Sequence, residues 1–175
     1  MKSLMWFRND LRMDDNPALR NACIESEEVH AIYIFSSSQN NFHNEANCKI
    51  EFLIENLKIL DQELSKINIP LTIIDSTGFK DNKDIILNLI KERAINKVFW
   101  NNQFGNDEQN RDGQVIRSFK KNNIEFSTHH EKVIFSPGSI RTAEDKPYSV
   151  FTPFKKKWIE NFNLDLLDIE FKYLS

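Results

Sequence analysis

Met5-Trp6-Phe7-Arg8-Asn9-Asp10-Leu11-Arg12-Met13-Asp14-Asp15-Asn16-Pro17-Ala18-Leu19 is the stretch whose reading decides the fold. An apolar run turns abruptly into charge. Asn16 then offers a helix N-cap with Pro17 at the first helical position, where proline's missing N–H costs nothing. The stretch reads as strand, charged loop, helix, with the loop at the carboxyl end of the first strand. In an open α/β sheet that edge is where ligands dock.

Outward from this stretch, short apolar runs alternate with longer amphipathic ones. Ser3–Phe7 is the first predicted strand, and the helix from Pro17 reaches about Ile24, turning Leu19 and Cys23 inward. Val29–Phe35 is nearly continuous in apolar residues, as expected of a strand covered on both faces. The polar loop Ser36–Asn41 leads to the longest predicted helix, Glu45 to Ile67. There Ile50, Leu53, Ile54, Leu57, Leu60, Leu64 and Ile67 share one face. Pro70 stops it before a third strand, Leu71–Asp75. Ile86, Leu89 and Ile90 mark a third helix, and Lys97–Trp100 a fourth strand. A fourth helix starts near Asn106 with Val115, Ile116 and Phe119 inward, and Ile124–Thr128 is a fifth strand. This alternation is the signature of an α/β fold with a doubly wound, Rossmann-like parallel sheet of five strands and helices on both faces. The loops after strands one, two and four should line its ligand-binding edge.

The 175 residues suit one ordinary domain, and 40% hydrophobic with 28% charged residues is a soluble globular composition. A net charge of -3 gives no global case for nucleic-acid binding, so any DNA contact would need a local patch such as Lys155-Lys156-Lys157. Cys23 and Cys48 are too few for a disulfide scaffold. No apolar run reaches membrane-spanning length, and the expectation is a cytoplasmic protein with no membrane partner. With 4 glycines, the P-loop and the Gly-rich dinucleotide fingerprint are both missing. No nucleophile motif appears, so no catalytic residue is assigned. His129-His130-Glu131 sits at a strand end, where neighbouring side chains point to opposite faces, so no metal site is assigned either.

A second constellation runs from Trp100 through Asn101-Asn102-Gln103-Phe104-Gly105-Asn106-Asp107-Glu108-Gln109 to Asp112. It carries good helix grammar: Asn106 as cap, Gln109 closing a capping box, and Asp107 and Glu108 complementing the positive helix end. Two carboxylates at a sheet's binding edge can also accept hydrogen bonds from the N–H groups of a planar heterocycle. A third run, Val150-Phe151-Thr152-Pro153-Phe154, reads as a buried aromatic loop clamping the sheet.

Together the three runs resemble, in order, motifs of the DNA photolyase and cryptochrome family. The string from Trp6 to Leu19 is similar to the family's opening motif, and the run from Trp100 to its antenna-pterin segment. The run from Val150 is similar to the V-F-T-P-F/Y motif leading out of the antenna domain. The resemblance implies a strand order of 3-2-1-4-5. It implies a photolyase-type antenna domain at 1–130, and a loop-rich extension at 131–175 that begins a linker to a helical FAD-binding domain. It aligns Glu108 with the family's pterin-binding Glu. Asp107 stands where many folate-type members have Asn, and can accept from a pterin but not donate unless protonated. His43, in Phe42-His43-Asn44, is similar in position to the family's antenna-contacting His. The implied cofactor is a methenyltetrahydrofolate-like antenna pterin, with deazaflavin or flavin as alternatives, and FAD only in the C-terminal domain. The implied function is the light-harvesting part of a lyase that repairs cyclobutane pyrimidine dimers in damaged DNA, not catalytic by itself. A cryptochrome-type photosensor domain and a stand-alone nucleotide-binding module of the same α/β superfamily are the alternatives.

Overall fold

A computed structural model describes residues 1–36, 46–76, 78 and 81–164. In chain order the elements are β1 (Lys2–Phe7), α1 (Pro17–Glu25), β2 (Glu28–Ser36), α2 (Asn47–Ser65) and β3 (Leu71–Ser76). Then come α3 (Asn82–Arg93), β4 (Lys97–Asn101), α4 (Asn106–Lys121), β5 (Glu125–His129) and α5 (Phe151–Asn161). The five strands and the helices α1 and α2 match the sequence reading to within one or two residues, α3 carries Ile86, Leu89 and Ile90 inward, and α4 starts at Asn106 as expected. All strand pairs are parallel, in the order β3-β2-β1-β4-β5. β1 is central, in register Met5 opposite Ala31 on one side and Met5 opposite Phe99 on the other.

Alternation along β1 divides the interior in two. Leu4 and Trp6 face one way, joining Ile32, Val98 and Trp100 beneath Ile86 and Leu89 of α3 and Val115 and Phe119 of α4. Met5 and Phe7 face the other way, with Ala31 and Phe99, beneath Ala18 and Leu19 of α1 and Leu60 and Leu64 of α2. Right-handed crossovers require this split. Strand order runs outward from β1 to β3 in one direction and jumps to β4 for the other. The switch point therefore lies between β1 and β4, at the carboxyl edge.

Three expectations are corrected. Leu57, Leu60 and Leu64 are the buried residues of α2, whereas Ile50 and Leu53 are half-buried and Ile54 is 43% exposed. The first half of this helix overhangs the sheet and finds no core to cover. The cap of α4 is Gly105, in extended conformation, and not Asn106. Gln109 accordingly closes no capping box and donates Nε2 to the Phe104 carbonyl, at 2.9 Å. The run from Val150 is no buried clamp: it opens α5, with Phe151 72% exposed and no residue of the helix buried. Pro153 sits in its first turn, where the absent N–H is one of the unpaired donors anyway. The aromatics of this region pack on one another, as in Phe135, edge-on to Trp158 at 5.3 Å. The apolar ending from residue 165 lies outside the described residues.

Candidate functional site

A cavity of about 730 Å³ opens at the carboxyl edge of the sheet, beside the switch point. Its walls come from four places. The loop after β1 supplies Arg8, Asn9 and Arg12, and the end of β2 supplies Tyr33 and Phe35. The overhanging half of α2 adds Lys49, Ile50, Phe52 and Leu53, and the start of α4 adds Asp107, Glu108 and Arg111. Ile50 and Leu53, which miss the core, thus wall the cavity.

The β1–α1 loop is fixed from below by a buried polar network. Asn16 Oδ1 accepts from Leu19 N at 3.1 Å, the expected cap, while its Nδ2 donates to the Arg12 carbonyl at 3.0 Å. Asn101, at the end of β4, donates Nδ2 to Asp10 Oδ2 at 2.6 Å and to Asn16 Oδ1 at 2.8 Å, and its Oδ1 accepts from Ala18 N at 3.2 Å. Asp10 Oδ1 takes the Arg8 N–H at 2.7 Å. One asparagine therefore ties the fourth strand to the loop and helix that follow the first.

Arg8 itself turns under the cavity. Its Nη1 meets both Asp112 oxygens at 2.7 and 2.8 Å, and Nη2 donates to the Asn101 carbonyl. Arg111 shares the same carboxylate through Nε at 2.9 Å and reaches Gln103 Oε1 at 2.9 Å. Both guanidinium carbons lie over the Trp6 ring, at 4.8 and 5.0 Å from its centroid. Burial lowers Arg8 from 12.5 to about 10, reinforced by the Arg111 charge and opposed by Asp112. The Tyr33 hydroxyl is pushed up to about 12 by burial, so it stands in the wall as a neutral donor.

Of the predicted site residues, Asp107 and Glu108 both line the cavity, in the first turn of α4. Glu108 folds back toward the helix cap: a Cβ added at Gly105 would lie 2.9 Å from its carboxyl carbon. Glu108 thus occupies the third helical position, one residue before Gln109, with its carboxylate against Gly105. His43 lies outside the described residues. His129 is drawn away from any such role, stacked on Phe99 at 6.3 Å, and His130 stacks on Phe104 at 5.8 Å. Glu131 pairs with Arg12 at 2.6 Å. Among the described residues, no group of three or more His, Cys, Asp or Glu is set to hold a metal.

The donor set suits a flat, partly polar molecule. Aromatic side chains, carboxylate acceptors and guanidinium donors all line the cavity. Arg8 Nε is moreover buried with no hydrogen-bond partner among the described residues. A buried donor in that state is a cost unless an acceptor meets it.

The DNA photolyase family model matches residues 3–170. The chain belongs to the DNA photolyase family. It is 35% identical over 164 residues to a deoxyribodipyrimidine photo-lyase of Buchnera aphidicola, covering 93% of this chain and 34% of that protein. It is 34% identical over 158 residues to the Escherichia coli protein of the same name, covering 90% and 33%. An archaeal photolyase from Sulfolobus tokodaii, solved with two FAD molecules, superposes with a TM-score of 0.73 at 23% identity, over 90% of this chain and 34% of that one. A Synechocystis cryptochrome does so with a TM-score of 0.63 at 18% identity, over 91% and 33%. The chain thus spans about a third of the length of the photolyases it matches and corresponds to their N-terminal α/β domain. Within the described residues, no helix is long and apolar enough to cross a membrane.

Proposed function

We propose that this chain is the antenna-holding domain of a light-driven DNA repair lyase, and that the cavity at the β1–β4 switch point is where the antenna sits. One observation carries this reading: Asp107 and Glu108, in the first turn of α4, line a cavity whose other walls include the aromatic Tyr33, Phe35 and Phe52 and the cationic Arg8, Arg12 and Arg111. Asp107 and Glu108 would accept from the N–H edge of a methenyltetrahydrofolate-like pterin or of a flavin, and the guanidinium of Arg8 would donate to its carbonyl or anionic side. Tyr33, Phe35 and Phe52 would flank its faces and exclude water. When bound, the chromophore supplies absorption of light. His43 stays in the proposal as a further contact, on the resemblance of its sequence position.

On this reading residues 1–130 form the antenna domain, and 131–175 lead toward a helical domain that would hold FAD. The whole protein, acting in the cytoplasm, would split cyclobutane dimers in damaged DNA, and this chain would not do so alone. Equilibrium dialysis of the protein against methenyltetrahydrofolate, with FMN in parallel, tests the site. Uptake that is lost in Asp107→Ala/Glu108→Ala is the expected result. Uptake unaffected by that pair of changes would put the antenna elsewhere.

A further inference from the structure

Trp6 is the one indole in the cavity wall, and two cations lie over it. It is 1% exposed. Indole is readily oxidised among side chains, and light-excited pterins and flavins are strong one-electron oxidants. An indole in contact with such a chromophore ordinarily quenches it: one electron passes from the ring to the excited molecule, leaving an indole radical cation and a chromophore radical anion. Recombination returns that electron to the ring and releases the absorbed energy as heat. A cavity meant to store light energy, even briefly, is therefore badly served by an ordinary tryptophan in its wall.

The surroundings of Trp6 oppose that electron loss. Creating a positive charge on the ring is penalised by each guanidinium about 5 Å away, and burial strengthens the effect by excluding water. The carboxylates do not cancel it. Asp112 is one anion shared between two cations. Asp10, the other buried carboxylate nearby, offsets part of it, but is the weakest of the charges acting on Arg8. Arg111 is set in place by Gln103 as well as Asp112. We propose that Arg8 and Arg111 keep Trp6 electron-poor, so that it walls the cavity without quenching a light-excited chromophore bound there. This rests on the chromophore reading of the cavity given above.

The test is the fluorescence lifetime of whichever probe the protein retains, FMN or methenyltetrahydrofolate, after dialysis has established that one is bound. In the natural sequence, Trp6→Phe should leave the lifetime unchanged. Arg111→Gln, which keeps the Arg8–Asp112 pair, should raise the quenching rate by about tenfold or more. Adding Trp6→Phe to Arg111→Gln should restore the long lifetime, and Arg111→Lys, which keeps the charge, should retain it. Circular dichroism confirms that each variant is folded. A lifetime already lengthened by Trp6→Phe alone overturns the proposal, as does an Arg111→Gln lifetime equal to the natural one. Retention of neither probe overturns the reading of the site, and this proposal with it.

Discussion

The triad of Arg8, Arg111 and Asp112 gives the sharpest test of how charge is balanced inside this fold. Two cations share one anion, and the side chains of all three are no more than 9% exposed. Lowering Arg8 from 12.5 to about 10 corresponds to about 3 kcal/mol at about 1.36 kcal/mol per decade. The direction fixes the sign. A cation with a depressed folded value weakens folding below that value, and the penalty lifts only as pH rises from about 10 toward 12.5. It is therefore fully in force at pH 7, even with Asp112 present. Asp112→Asn preserves shape but leaves two buried cations facing each other, which should destabilise by about 3–5 kcal/mol. Arg8→Met leaves the neutral pair Arg111–Asp112 and removes the repulsion. It forfeits the Nη1 bonds to Asp112, the bond to the Asn101 carbonyl and the contact over Trp6, but the lifted burial penalty of about 3 kcal/mol offsets most of that, leaving a net loss of about 1 kcal/mol. Urea unfolding at pH 7 reads the asymmetry. With a slope of about 2 kcal/mol per molar, the Asp112→Asn midpoint should fall by about 2 M, and the Arg8→Met midpoint by about 0.5 M or less. Equal shifts, or a larger one for Arg8→Met, would refute the two-to-one charge count.

Other perturbations reach other parts of the fold. Asn101→Ala removes a bond to the Asp10 carboxylate and two to neutral partners, and a loss of about 3–5 kcal/mol is expected in the same unfolding assay. His129 is held below its ordinary value by burial, aided by Lys97 and His130 and opposed by Glu25. Its neutral folded form means that stability falls as pH drops through about 6.5 and below. Thermal melts at pH 7.5 and 5.5 should show a smaller difference for His129→Phe than for the natural chain. Gly105 has φ of -66, so Gly105→Ala brings no backbone strain. The new Cβ would displace the Glu108 side chain. A stability change within about 1 kcal/mol should then accompany altered uptake of FMN or folate in dialysis.

Much of this architecture was legible because local rules and tertiary needs agree. Leu4 and Trp6 alternate with Met5 and Phe7, as a central strand covered on both faces demands. Asn16-Pro17 caps α1 as its chemistry predicts. The failures have equally plain causes. Asn106 is a better generic cap than Gly105, so the frame of α4 was read one residue late. Helical periodicity marks Ile50, Leu53 and Ile54 as apolar but cannot tell a core from the wall of a cavity. The apolar content of Val150–Phe154 suggested burial where the chain makes an exposed helix. The place of Asp107 and Glu108 at the sheet's carboxyl edge was legible because the apolar end of β4 and the polar loop after it fix where α4 starts. The grip of Arg8 on Asp112 joins residues 104 positions apart. No local pattern announces it, and the ring of Trp6 beneath both guanidiniums follows only once α4 is laid against β1.

The overhang of α2 separates two demands that usually compete. Its second half, through Leu57, Leu60 and Leu64, belongs to the interior and constrains what the protein can be. Its first half covers no core, and its inward side chains answer only to whatever occupies the cavity. Substitutions at Lys49, Ile50, Phe52 and Leu53 can therefore reshape one wall with little penalty in folding. On the antenna reading, the same frame would accept a different pigment by revising two helical turns, with the sheet beneath left as it is.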